Sequence, residues 1–162
     1  MQIKDEGTMN GRHLSLLAGA GSGALLVAAL GFQAAGYAPC ELCILQRWPH
    51  VAAVLIAGLI WLIGGVRVLA VLGMAAAGIA MGLAIYHTGV ELTLWPGPTH
   101  CSGTIGNLAG MSAADLMERL NAAPVVRCDE VAWRFLGLSM AAWNAIFSAG
   151  LAVVWGLAAR RG

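Results

Sequence analysis

Two cysteines separated by two residues form the feature of this sequence best suited to chemistry, in the motif Cys40-Glu41-Leu42-Cys43. Such a pair can close a small disulfide ring, bind a metal, or exchange electrons as a dithiol/disulfide couple. A ring of this size restrains the backbone very little, and its geometry is often strained and therefore more easily reduced. The spacing thus favours a redox couple over a structural disulfide.

Two further side chains could act on this pair. Arg47 lies four residues beyond Cys43, which is one turn if a helix has begun there. A nearby cation lowers the pKa of a thiol, as a helix N-terminus does, and the thiolate is the reactive form. An arginine at a membrane edge can instead extend to lipid phosphate. His87 ends an apolar run at the same predicted level, where a histidine is more often interfacial than catalytic.

A second pair of cysteines, Cys101 and Cys128, lies in a long polar stretch. All four cysteines fall outside the apolar runs, whereas an inert buried cysteine would more naturally lie within one. Position pairs Cys40 with Cys43 and Cys101 with Cys128, which is one of three possible pairings. The second pair could equally be a structural disulfide that restrains the long loop.

The composition indicates a membrane protein. The chain has 162 residues, of which 59% are hydrophobic and only 10% charged, against about 25% charged residues in a soluble domain. Lys, Arg, Asp and Glu are absent from residues 14–33, 48–66, 68–86 and 135–159. A bilayer core requires about 20 apolar residues in a helix. We therefore expect an all-α membrane protein, and the net charge of +1 gives no indication of nucleic-acid binding.

The predicted architecture is a single integral membrane domain over residues 1–162, with four transmembrane helices in one bundle. The first helix is expected to remain uncleaved, because its apolar core exceeds the roughly 7–15 residues of a signal peptide. Ser112 to Asp115 fits a helix-start pattern, so a short helix should follow on the membrane surface or in solvent. The predicted helices cover about 14–33, 48–64, 68–86 and 135–157, and the two cysteine-bearing loops cover about 34–47 and 87–134.

Charge predicts the orientation of the bundle. Four crossings place both termini on one side together with Arg67, because Arg67 at mid-membrane would cost about 2.5–3.5 kcal/mol. Basic residues on that side are crowded close to helix ends, whereas those on the other side are spread along long loops. The positive-inside rule then places both termini in the cytoplasm and the cysteine loops outside, where disulfides can form.

Two outward-facing cysteine pairs suggest an electron relay. A soluble reduced dithiol would give two electrons to Cys101–Cys128, and exchange would carry them to Cys40–Cys43. The sequence has no dinucleotide fingerprint and no C-x-x-C-H haem motif, so a quinone in the membrane fits as the acceptor. No metal is predicted, because the spacing of the cysteines with His87 and His100 lacks a second C-x-x-C or an H-x-x-x-H.

Three motifs together resemble the bacterial disulfide bond formation protein B (DsbB) family, over about residues 14–157. They are Cys40-Glu-Leu-Cys43-Ile-Leu-Gln-Arg47, His87-Thr88 ahead of Trp95-Pro96, and Arg127-Cys128-Asp129 leading into Trp133 to Met140. The resemblance implies a four-helix protein of the bacterial inner membrane with periplasmic loops. Its expected activity is to reoxidise a periplasmic thioredoxin-fold oxidase (DsbA-like) and to reduce ubiquinone or menaquinone.

The resemblance also implies a role for each candidate residue. Cys101 would form the mixed disulfide with the partner, Cys128 would resolve it, and Cys40 would pair transiently with Cys128. Cys43 would be the thiolate that meets the quinone. Arg47 would stabilise negative charge on the quinone as it is reduced, with His87 nearby.

Two alternatives remain. A homologue with the same chemistry could serve one dedicated substrate instead of a general oxidase. A protein of a different class would be a non-enzymatic four-helix membrane protein with two structural loop disulfides. Replacing Cys43 separates the enzyme from the structural protein, because only the enzyme loses a redox reaction.

Overall fold

Four long apolar helices dominate the computed structural model, which describes residues 10–98, residue 112 and residues 127–162. A short helix α2 leads directly into α3, and a two-stranded antiparallel hairpin precedes the last helix. The elements are α1 (Gly11–Ala34), α2 (Glu41–Leu45), α3 (Arg47–Ile63), α4 (Val66–Glu91), β1 (Arg134–Phe135), β2 (Leu138–Ser139) and α5 (Met140–Arg160).

Each of the four long segments can cross a membrane by length and composition. They contain 24, 23, 26 and 21 residues, when α2 and α3 are counted as the single segment Glu41–Ile63, with mean hydropathies between 1.5 and 2.3. A helix of about 20 residues spans the roughly 30 Å of a bilayer core. The predicted all-α fold with four transmembrane helices is therefore confirmed.

The second crossing begins earlier than the expected residue 48, and a cysteine is the reason. Cys40 has an extended backbone, and its sulfur accepts the backbone N–H of Cys43 at 3.3 Å, so it caps helix α2. The residues that usually cap a helix N-terminus are Ser, Thr, Asp and Asn. Cysteine is not one of them, so the sequence pattern did not predict a helix start at Cys40. The C-x-x-C motif thus lies on a helical turn at the head of the crossing.

The other helix boundaries differ from expectation at the same end of the bundle. Helix α4 continues to Glu91, beyond the expected residue 86, and so carries His87 inside its last two turns. Helix α5 begins at Met140 because residues 134–139 form the β1–β2 hairpin instead. At the hairpin turn, Leu136 and Gly137 have φ values of 51° and 81°.

At the opposite end, Gly64 and Gly65 form the turn between α3 and α4, with φ values of 79° and 66°. Glycine adopts this left-handed region without steric cost. The turn leaves Arg67 exposed in the first turn of α4. The predicted short helix after Ser112, and Cys101 itself, lie outside the described residues.

Small residues allow the helices to pack closely. Alanines such as Ala53, Ala70 and Ala80 have no exposed surface, and small residues are typical of helix contacts in lipid. Trp155 of α5 is also fully buried, and its indole fits against Gly73 of α4. The described part of the bundle therefore has an alanine-rich core filled at one level by a single large ring.

This contact predicts that Gly73→Ala destabilises the bundle. A Cβ at residue 73 would lie 2.5 Å from the Trp155 ring, and overpacking of this kind costs about 1–3 kcal/mol. Gly78→Ala in the same helix is the matched control, because nothing lies within 4 Å of its added Cβ. Unfolding of both variants in mixed micelles, titrated with sodium dodecyl sulfate, measures the difference. Equal free energies of unfolding would contradict the close packing of Trp155 against Gly73.

Candidate redox site

The sulfur atoms of Cys40 and Cys43 are 3.1 Å apart, and the Cys40 thiol donates a hydrogen bond to the Cys43 sulfur. A disulfide bond is about 2.05 Å long, so this is a dithiol whose sulfurs already face each other. The hydrogen bond to Cys43 raises the pKa of the Cys40 thiol, and burial raises it further. Cys40 therefore keeps its proton, and Cys43 is the sulfur positioned to carry negative charge.

Cys128 joins the two sulfurs from the other cysteine-bearing loop. Its side chain is 1% exposed and packs in a cluster with Cys40, Leu42 and Val90, with Cys43 at the edge. The fold thereby brings together three of the four cysteines that the sequence singled out. The fourth, Cys101, lies outside the described residues.

The turn that contains Cys128 is held by an exposed ion pair between its two neighbours. Arg127 donates to both carboxylate oxygens of Asp129, at 2.9 and 2.6 Å. Hydrogen bonding to Arg127 holds the pKa of Asp129 below its ordinary value. Both groups are exposed, so water screens the pair and it contributes little stability.

His87 lies against the sulfur pair. Its ring is buried, with Nε2 3.6 Å from the Cys40 sulfur and Nδ1 2.8 Å from the Gln46 side-chain nitrogen. Glu91, one turn further along α4, places a carboxylate oxygen 3.9 Å from Nε2. The sequence expected His87 at the end of a helix near the interface, whereas the structure directs its ring into the site.

Arg47 is the first residue of α3 and reaches across to α1. Its Nη1 donates to the Gln33 side chain at 2.8 Å, and its Nη2 donates to the Ala29 carbonyl at 3.5 Å. Its Nε is buried and has no hydrogen-bond partner among the described residues. These contacts hold the guanidinium in the groove between α1 and α3, one helical turn from Cys43.

A cavity of about 380 Å³ connects these side chains, within the usual range of roughly 300–1,000 Å³ for small-molecule sites. Cys43, Arg47 and His87 all border it. A run of aromatic rings forms one side of its wall, and neighbouring rings lie 4.9 to 6.2 Å apart. In order of contact the rings are Phe32, Trp133, Phe135, Trp143 and Phe147.

The β1–β2 hairpin is the element that completes this aromatic wall. It carries Phe135, which contacts Trp143 of α5, and it follows directly on Trp133, which contacts Phe32 of α1. The apolar run predicts that a transmembrane helix starts at residue 135, whereas residues 134–139 form the hairpin. The aromatic spacing around Gly137 could have indicated a turn here.

Three polar residues at the cavity were not predicted as site residues: Gln46, His50 and Asn144. Asn144 donates to the Gln46 carbonyl oxygen at 2.7 Å, and its own oxygen lies 3.0 Å from His50 Nε2. The sequence contained a signal for this arrangement. Gln46 and His50 are one helical turn apart, so they share a face at the start of α3.

Cys40, Cys43 and His87 also place three ligand atoms within 4.8 Å of one another. Thiolates and imidazole are zinc ligands with bond lengths of about 2.0–2.3 Å, so the reduced pair has the donor set for a soft metal. A disulfide would remove both thiolates, so metal binding and electron transfer exclude each other. The expectation that no metal is bound stays a prediction.

Comparison with known proteins gives a consistent result. The family model described as "Disulfide bond formation protein DsbB" matches residues 11–158. The "Disulfide bond formation protein B" of Xanthomonas euvesicatoria pv. vesicatoria is 34% identical over 127 residues, covering 75% of this chain and 73% of its own. The protein of the same name from Marinobacter nauticus is 34% identical over 148 residues, covering 84% and 83%. No solved structure matches.

The packing of Cys128 against Cys40 predicts that these two sulfurs can be joined. In the double variant Cys43→Ser, Cys101→Ser, mild oxidation should form a Cys40–Cys128 disulfide in most of the protein, because no competing cysteine remains. Peptide mapping without reduction identifies the link. A matched triple variant with Cys128→Ser should show no internal link. Failure to form the disulfide, with both thiols intact, would contradict the arrangement.

Proposed function

The chain belongs to the DsbB family of disulfide bond formation proteins, and from this premise we propose that it is a protein-dithiol:quinone oxidoreductase. In this proposal it reoxidises a periplasmic thioredoxin-fold oxidase of the DsbA type and passes the electrons to ubiquinone or menaquinone. It would lie in the bacterial inner membrane, with cytoplasmic termini and periplasmic cysteine loops. The observation that carries the proposal is that Cys40 packs against Cys128 while Cys43 borders an apolar cavity.

On the soluble side, the two thiols of the partner become a disulfide and the Cys101–Cys128 disulfide becomes two thiols. Cys101 would carry the mixed disulfide with the partner. The Cys128 thiolate then attacks the Cys40 sulfur, so a Cys40–Cys128 bond forms and the Cys40–Cys43 bond breaks. Cys43 leaves as a thiolate. Attack of the Cys101 thiolate on Cys128 would then restore the Cys101–Cys128 bond, break the Cys40–Cys128 bond and release Cys40 as a thiol. The burial of Cys40 and Cys128 in one cluster supports this step, because the attack requires direct contact between the two sulfurs.

On the membrane side, the cavity residues fit a quinone ring. The aromatic wall offers flat apolar surfaces, and the buried Nε–H of Arg47 is a donor with no partner in the described part of the chain. A bound quinone supplies an acceptor for two electrons and two protons. Arg47 would hold a ring oxygen and favour negative charge there, and the aromatic rings would exclude water.

The electrons and protons balance between the Cys40–Cys43 pair and the quinone, so no further reductant is needed. Conversion of the Cys40 and Cys43 thiols into a disulfide releases two electrons and two protons, which equals the demand of the acceptor. The raised pKa of Cys40, which follows from its hydrogen bond to Cys43, keeps one of these protons on the pair until the disulfide forms. Cys43, on the cavity side, then acts as the electron-donating thiolate.

The structural alternative is two loop disulfides without a reaction. It gives no reason for one member of the Cys40–Cys43 pair to border a cavity of ligand size. It also leaves the guanidinium of Arg47 beside that cavity unexplained. We therefore favour the enzyme.

The proposal predicts that the purified protein reduces a short-chain ubiquinone when it is given a reduced DsbA-type oxidase, which can be followed by the loss of quinone ultraviolet absorbance. Cys43→Ser should abolish this reaction because the electron-donating sulfur is lost, and its helical circular dichroism should stay unchanged. The structural alternative predicts no quinone reduction by either protein, and that result would refute the enzyme.

A second prediction concerns Arg47→Ala. Loss of one charge-assisted hydrogen bond, worth about 1.5–3 kcal/mol, should raise the KM for quinone by roughly tenfold or more. Disulfide exchange with the soluble dithiol, measured in the absence of quinone, should be unchanged. Arg67→Ala is the matched control, since Arg67 is exposed in the first turn of α4 and does not border the cavity. An unaltered KM for quinone in Arg47→Ala would remove Arg47 from the site.

A further inference from the structure

Several buried polar side chains beside the cavity have no part in the mechanism above. Gln46 and His50 are 5% and 4% exposed, and Ser148 has no exposed surface. In a membrane bundle, polar groups of this kind are costly unless they are hydrogen-bonded. All three connect to Asn144 of α5, and Gln46 continues to His87.

The Leu42 carbonyl fixes the direction of this network. A carbonyl oxygen can only accept, so the atom that Gln46 places 3.1 Å from it must be the amide nitrogen. The same nitrogen lies 2.8 Å from His87 Nδ1. Gln46 therefore donates to His87 Nδ1, which must be the unprotonated nitrogen of the ring. A neutral imidazole with a bare Nδ1 carries its proton on Nε2.

The surroundings of the His87 ring agree with this assignment. The Cys40 sulfur, 3.6 Å from Nε2, and the Glu91 carboxylate oxygen, 3.9 Å away, are both acceptors. Nδ1 thus faces a donor, and the groups near Nε2 are acceptors.

Asn144 and His50 hold the Gln46 amide with its nitrogen toward His87, through contacts on the side of Gln46 away from His87. The Gln46 oxygen accepts from the Asn144 nitrogen at 2.7 Å, which leaves the Asn144 oxygen as an acceptor. That oxygen receives the Ser148 hydroxyl at 3.3 Å and faces His50 Nε2 at 3.0 Å. His50 Nε2 must then be a donor, and every hydrogen bond from Ser148 to His87 has one donor and one acceptor.

We infer that Gln46 and Asn144 are positioning residues that make His87 a hydrogen-bond donor to the Cys40 sulfur and prevent it from acting as a base toward that thiol. With its proton on Nε2, the ring has no lone pair directed at Cys40. The Cys40 proton therefore stays in the hydrogen bond to Cys43, and the His87 N–H stabilises negative charge on the sulfur pair. Only the catalytic consequence of this inference rests on the proposed function.

The direct test is the protonation of the His87 ring nitrogens, measured by ¹⁵N NMR of the reduced full-length protein labelled at histidine. The chain has four histidines, and a His87→Gln variant identifies the signals of His87. The wild type should show Nδ1 unprotonated and Nε2 protonated. A protonated Nδ1 in the folded wild type would overturn the inference without any variant.

Gln46→Glu provides a test with an opposite expected result. A carboxylate can only accept, so His87 Nδ1 should gain a proton, whereas Gln46→Met has similar length and no amide and should give a mixture of tautomers. Ser148→Ala is the matched control and should leave the His87 signals unchanged, because the Asn144 oxygen still accepts from His50. An unprotonated Nδ1 in Gln46→Glu would contradict the assigned hydrogen-bond direction.

The effect on sulfur is tested without quinone or partner protein. Alkylation of Cys43 in the reduced protein, quantified by mass spectrometry, should be about fivefold slower in Gln46→Met and in Asn144→Leu, as expected for one lost hydrogen bond of about 1 kcal/mol. Ser148→Ala should react at the wild-type rate. Equal rates in all four proteins would refute the role of His87 as a donor to the sulfur pair. If the wild-type protein failed to reduce quinone but the NMR and alkylation results were as expected, only the proposed function would be refuted.

Discussion

The hydrogen bond from the Cys43 backbone to the Cys40 sulfur is the interaction on which the arrangement of the site depends. It starts helix α2 at Glu41 and brings the two sulfurs to 3.1 Å. Because α2 runs almost directly into α3, the same cap sets the position of Arg47 and Gln46 around the helix. One local contact therefore aligns the sulfur pair, the cation and the amide at the wall of the cavity.

The second constraint is the low polarity of the bundle. Outside the site, described residues that face other helices are mostly alanine and glycine, and large aliphatic side chains face outward. Polar groups in such surroundings are costly unless they are matched as donor and acceptor. The network from Ser148 to His87 meets this condition at each of its hydrogen bonds. Burial favours this alternation of donors and acceptors, and the alternation fixes which nitrogen of the His87 ring carries the proton.

The apolar runs alone predicted the fold class, because four uncharged stretches of about 20 residues allow few other structures. The position of Arg67 near a turn also followed from charge. The helix ends near the cysteines could not be predicted in the same way. A cysteine cap has no place in the usual start signals, and the extension of α4 past residue 86 carries His87 and Glu91 where polarity suggests a loop. Tertiary contacts at this end outweigh local preference.

The candidate site was also predictable only in part from the sequence. The cysteines and Arg47 were singled out by type and spacing, because their chemistry is visible in the motif. Gln46 and His50 were not, since the role of an isolated polar residue is visible only once its partner on another helix is known. Asn144 joins α5 to α3 through its hydrogen bonds to Gln46 and His50. The sequence could not reveal that this contact continues to His87.

The aromatic wall gives the protein a built-in optical reporter. Of the six tryptophans in the chain, Trp133 and Trp143 border the cavity, while Trp155 is sealed in the bundle at a different level. A flat conjugated molecule that entered the cavity would lie within van der Waals distance of the first two indoles and would quench their emission. Occupancy of the cavity would thus change the intrinsic fluorescence of the protein, and no attached dye would be needed to observe it.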